Sequence, residues 1–265
     1  MSAKVSWLKG VFPPLVTPFD KDGEVDEEAL RNLVEYVIDN VDGLVPCGTT
    51  GEFPYLSAEE QKRVIEIVIE EARGRKPVIA GTCAAGTRQA INLAESAKEA
   101  GADACLIVTP YFLHPSPKGI YQHFYEIAKA VDIPIIMYNI PQTVGAYIPR
   151  EVIEDLADIP NIVGLKDSSG NLTYTMEVIE MVQGKIDVLI GQDEVVLPAL
   201  AGGCSGMILA SAQVFPEIWQ KIYTAVQEND LETARLYQMK VQKLARIFSR
   251  YGGGLAVKAA LNMMG

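Results

Sequence analysis

Short, almost unbroken apolar runs alternate along this chain with longer segments whose apolar positions recur every three or four residues. The short runs fall at 11–19, 43–48, 77–83, 104–110, 134–141, 162–169, 187–194 and 205–212. Segments with helical spacing follow them at 26–40, 57–74, 87–101, 116–131, 149–158, 171–183, 196–200 and 215–228. In the first of these, Leu30, Leu33, Val34 and Val37 share one face. The second opens on Ser57-Ala58-Glu59-Glu60, a capping box. About eight strand–helix units imply a parallel sheet, because each strand needs a crossover before the next, and runs apolar at nearly every position suit strands covered on both faces. A closed (β/α)8 TIM barrel fits a chain of 265 residues. The alternative, an open doubly wound sheet, would carry Gly-x-Gly-x-x-Gly after its first strand, and that is missing. Residues 1–230 are read as the barrel domain. Residues 231–265 are read as a C-terminal helical extension, with helices at 232–251 and 255–263 separated by Gly252-Gly253-Gly254.

Composition narrows the function. Hydrophobic residues make up 49% of the chain and charged residues 22%, so a full core is expected and disorder is not. A net charge of −11 disfavours nucleic acid and acidic membrane surfaces as partners. No apolar run approaches the roughly 20 residues of a membrane-spanning helix, and the N-terminus lacks a signal-peptide h-region. Cys47, Cys83, Cys105 and Cys204 sit in or beside apolar runs without paired spacing, which reads as buried free thiols in the cytoplasm. His114 and His123 are the only histidines and form no ligand cluster with the cysteines, so no metal is expected from them; a carboxylate-built Mg²⁺ site stays open.

Barrel chemistry sits at the C-terminal ends of the strands. Lys166 interrupts the apolar run there and shares a side of its strand with Gly164 and Ser168, which leaves room for a long side chain. Desolvation disfavours an ammonium, and a neutral amine attacks ketones. Equally, Lys166 would fit as the ion-pair partner of Asp167. Tyr138, near the end of 134–141, fits either a proton shuttle or a core tyrosine. The turn Gly48-Thr49-Thr50-Gly51-Glu52 offers hydroxyls and backbone N–H groups for a carboxylate, or is an ordinary glycine-flanked turn. A phosphate-binding isomerase is a poor fit, since Gly202-Gly203 precedes the last strand and Ser211-Ala212-Gln213 after it is not glycine-rich.

Together, Gly48-Thr49-Thr50-Gly51-Glu52, Tyr138-Asn139-Ile140-Pro141 and Gly164-Leu165-Lys166-Asp167 make the chain resemble the dihydrodipicolinate synthase / N-acetylneuraminate lyase superfamily, from about Lys9 to the C-terminus. The resemblance implies a class I lyase that forms an imine with pyruvate, without metal or organic cofactor, usually as a homotetramer built as a dimer of dimers. Lys166 would carry the imine, Tyr138 would move protons, and Thr49 and Thr50 would hold the carboxylate. Gly48, Ser168, Gly191, Asp193, Glu194 and Ile208 would complete the substrate pocket.

Synthases of the superfamily typically place an arginine where this chain has Thr143, and a second tyrosine, lent across a subunit interface, where it has Phe112. Gly191-Gln192-Asp193-Glu194 resembles the run that contacts polyhydroxy chains in sialic acid lyases. Reversible cleavage of a 2-keto-3-deoxy sugar acid to pyruvate and an aldehyde is therefore the first expectation. Condensation of pyruvate with aspartate semialdehyde in lysine biosynthesis is the alternative, and a non-catalytic regulator the rival from another class. The superfamily usually continues beyond 262–265 into further helices, so a truncation relative to it is also expected.

Overall fold

The computed structural model describes residues 5–265. One parallel sheet contains β1 (Gly10–Phe12), β2 (Ile79–Gly81), β3 (Ala104–Val108), β4 (Ile135–Asn139), β5 (Ile162–Asp167), β6 (Asp187–Ile190) and β7 (Gly206–Ile208), in the order β1-β7-β6-β5-β4-β3-β2. The run at 43–48 makes only isolated parallel bridges, Pro14 with Val45 and Leu44 with Val78. These place it between β1 and β2, where it closes the ring as the eighth stave. Proline explains why it falls short of a full strand. Toward β2, Leu44 N donates to Pro77 O, Ile79 N to Leu44 O and Gly81 N to Pro46 O, but Pro46 has no N–H to return; toward β1, Val45 N donates to Pro13 O and Leu15 N to Val45 O.

Helices α1 (Glu27–Val37), α2 (Ala58–Ala72), α3 (Thr87–Ala100), α4 (Pro117–Ala130), α5 (Pro141–Val144), α6 (Arg150–Leu156), α7 (Leu172–Val182), α8 (Val196–Ala201) and α9 (Pro216–Gln227) intervene or follow, then α10 (Leu231–Arg250) and α11 (Gly254–Met264). Their starts obey local chemistry. Asp26 accepts from Ala29 N at the head of α1, and Ser57 and Glu60 form the expected reciprocal capping box on α2. Each such cap stabilises a helix by about 1 kcal/mol. No described helix is long and apolar enough to cross a membrane.

Alternation along the strands divides the core in two. Ala104, Leu106 and Val108 of β3 point inward with Phe12, Ile79, Ile136, Leu189 and Ile208, while Cys105 and Ile107 face the helices. Space beside Gly164 does not serve Lys166. A Cβ there would lie 2.9 Å from Leu8 Cδ2, because Leu8 fills that part of the interior. All four cysteines are buried and free.

Candidate active site

Lys166 and Tyr138 end neighbouring strands in register, with the lysine Nζ 4.1 Å from the centre of the tyrosine ring. Both are buried, Lys166 at 4% exposure. Asp167 does not pair with that amine. Its oxygens accept from Asn139 Nδ2 (2.9 Å), Thr175 Oγ1 (2.6 Å), Ser169 N (3.0 Å) and Ser169 Oγ (3.1 Å). Asn139 in turn accepts from Ile148 N. The carboxylate thus ties the ends of β4 and β5 to α7, and alternation leaves the lysine to the barrel mouth.

Thr49 Oγ1 reaches the Tyr138 hydroxyl at 3.4 Å, a long contact, from a short turn at Thr49–Gly51. That turn is fixed from below by Thr17 Oγ1, which donates to Gly51 O at 2.7 Å. Ser168 Oγ is buried without a hydrogen-bond partner. Gly191 must be glycine here, since a Cβ would sit 2.1 Å from Ser168 Oγ and 3.0 Å from Lys166 Cε.

These residues line one cavity of about 680 Å³. Of the residues expected from sequence, Lys166, Tyr138, Thr49, Thr50, Ser168, Gly191, Asp193 and Ile208 line it. Gly48 and Glu194 do not. Gly48 closes the turn through its carbonyl, which accepts from Gly51 N, and a Cβ on it would meet only Pro14 Cβ at 3.6 Å. Glu194 is drawn aside, its carboxylate accepting from Gln192 Nε2. Asp193 is half open to the cavity but hemmed in by protein elsewhere, and this desolvation pushes its carboxyl up to about 7. The neighbouring Glu194 charge pushes the same way, while Ser211 and the Lys166 charge pull against it.

Thr143 lines the cavity, whereas Phe112 is 90% exposed with φ +74° and does not. Beside it, Tyr111 packs edge-on against Phe53. Apart from Lys166, no lysine or arginine lines the cavity among the described residues. Nor do three metal-ligating side chains converge anywhere among them. Sequence reasoning missed an entire wall, made by Phe248, Ser249, Gly252, Gly253, Gly254 and Leu255 where α10 meets α11. The triple glycine was the available signal. It was legible as a break between helices, and nothing in its spacing ties it to the strand ends.

The profile of the Dihydrodipicolinate synthetase family matches residues 7–265. The chain is 43% identical over 260 residues to a 4-hydroxy-tetrahydrodipicolinate synthase of Nitratidesulfovibrio vulgaris, covering 97% of this chain and 89% of that one. It is 44% identical over 259 residues to the protein of that name from Syntrophus aciditrophicus, with the same coverage. Among solved structures, dihydrodipicolinate synthase from Aquifex aeolicus superposes with a TM-score of 0.95 at 39% identity, covering 97% and 88% of the two chains. The Acinetobacter baumannii enzyme, complexed with pyruvate, gives 0.95 at 39% identity, covering 97% and 89%. These names match the synthase alternative better than the sugar-acid cleavage that the motifs put first.

Proposed function

Because the chain belongs to the Dihydrodipicolinate synthetase family and is a carbon–carbon lyase, we propose that it works through an imine between Lys166 and pyruvate. The observation that carries the reading is the buried Lys166 amine at the cavity floor, left unpaired by Asp167 and stacked on Tyr138. After giving up its proton, the amine adds to the ketone carbon. The carbinolamine then loses the former carbonyl oxygen as water, leaving an iminium. Loss of a proton from C3 gives an enamine, whose carbon attacks an aldehyde; hydrolysis returns the lysine. In this reading Tyr138 relays the protons, and Thr49 and Thr50 hold the carboxylate.

For the acceptor, the names of the relatives favour condensation of pyruvate with aspartate semialdehyde. One observation favours a second reading. Thr143 and a cavity lined by no cation besides Lys166 among the described residues offer no clamp for an acceptor carboxylate, while Asp193 and the unpartnered Ser168 hydroxyl suit the hydroxyls of a sugar-derived aldehyde.

Intact mass after incubation with pyruvate and borohydride tests the chemistry, with Lys166→Ala alongside. A reduced adduct on the wild type alone is expected; no adduct on either protein refutes the imine. Coupled assays with aspartate semialdehyde and with neutral polyhydroxy aldehydes then decide the acceptor.

A further inference from the structure

Glu52, which ends the Thr49–Gly51 turn, adopts φ +60°, a left-handed conformation that disfavours residues with a side chain. Its backbone N–H closes the turn on Thr49 O at 3.1 Å. Its carboxylate is met from the far end of the sequence by Lys258 of α11, Nζ to Oε1 2.7 Å. Both side chains are largely covered, at 24% and 20% exposure for Lys258 and Glu52, so water screens this pair less than a surface one. The ammonium also lies 4.3 Å from the centre of the Phe19 ring. One turn before Lys258, Gly254 lies directly on Thr50: a Cβ there would come within 2.9 Å of Thr50 Cα. Two independent contacts therefore press the start of α11 onto one short turn.

We propose that Lys258 and Glu52 are a positioning pair for the ketoacid carboxylate: the ion pair holds Glu52 in its left-handed conformation, and so fixes the Thr49 and Thr50 hydroxyls and N–H groups that receive the carboxylate. This rests on the imine reading above, and on Thr49 and Thr50 as the carboxylate site. Lys258 does not line the cavity, whereas Glu52 does, so Lys258 acts on the carboxylate site through Glu52. The pair gives the C-terminal helices a role in pyruvate affinity as well as in walling the cavity.

The test is the pyruvate concentration giving half-maximal borohydride-trapped adduct, together with the maximal trapping rate, in the full chain. Lys258→Met keeps the length and apolar body of the side chain and deletes the charge. Its half-saturating pyruvate is expected to rise about 10-fold, with the maximal rate within about 3-fold, as befits a mispositioned binding turn beside an intact amine. Lys258→Arg should restore most of the loss, and Glu52→Gln should reproduce Lys258→Met if the latter folds poorly. Val257→Ala loosens the docking of α11, since Val257 is fully buried, without touching the pair; its half-saturation should match the wild type. A normal wild-type curve with an unchanged curve for Lys258→Met and Glu52→Gln would overturn the positioning role and leave the imine standing. An equal shift in Val257→Ala would overturn it too, because docking alone would then account for the effect. Failure of the wild type to trap would overturn the imine reading itself.

Discussion

Gly191→Ala places a methyl group against the two side chains nearest the proposed reaction. Its Cβ would lie 2.1 Å from Ser168 Oγ and 3.0 Å from Lys166 Cε. Ser168 is buried at the end of β5, and its backbone N–H is bound to Asn139 O at 2.9 Å, so it has little room to retreat. Relief requires a movement of about 1 Å in Ser168, Lys166 or the chain at Gly191, and overpacking of that size costs about 1–3 kcal/mol of stability. Misplacing a reacting amine by about 1 Å costs on the order of 100-fold in rate. Stopped samples quenched with borohydride and weighed intact should show adduct formation at saturating pyruvate slowed by about that factor, while urea unfolding shows a folded protein. Adding Ser168→Gly should recover part of the rate, since it removes the worst contact and leaves that with Lys166 Cε. Gly48→Ala is the matched control: with φ −77° and its nearest neighbour at 3.6 Å, it should trap pyruvate at the wild-type rate. Wild-type trapping by Gly191→Ala would refute the close packing of Lys166 on β6's end.

Two further outcomes concern stability. Asp167→Ala would strip four hydrogen bonds from buried or half-buried partners and should cost about 3–5 kcal/mol in urea unfolding. Asp167→Asn keeps one acceptor and should cost clearly less; equal losses would show that the retained acceptor carries none of the stabilisation, and a negligible loss in Asp167→Ala would show that the bonds do not matter. His123 is held neutral by burial, which lowers its pKa to about 4 from 6.5. The unfolded chain then takes up a proton that the folded chain refuses, so stability is full above pH 6.5 and falls between 6.5 and 4, by at most about 1.4 kcal/mol per pH unit. His123→Gln should flatten that limb of a stability–pH curve, and an unchanged limb would exclude His123 as its source.

What could be read from the sequence, and what could not, follows from how far apart the interacting residues lie. Strands and helices were legible because their cause is local: an apolar run such as 104–110 or a capped segment such as 57–74 carries its own pattern. The single failure among the strands, at 43–48, was local in its residues but not in its partners. Pro46 is in the run itself, but only the pairing with β2 shows that its missing N–H is one the ladder would use. The site divides in the same way. Lys166 stood out as a charge in a buried strand, and Tyr138 as a phenol at a strand end, each visible without knowing its neighbours. Whether Asp167 paired with Lys166 depended on Thr175 and Asn139, which compete for its oxygens from another helix and another strand. Glu52 shows the limit most sharply. Within its motif it is an acidic residue after a glycine, with no signal of strain, and the residue that answers it lies 206 positions away on a helix that the sequence presents as an appendage. The C-terminal helices wall the cavity, and Gly254 and Lys258 reach the Thr49–Gly51 turn, so a boundary drawn at residue 230 divides residues that line one cavity.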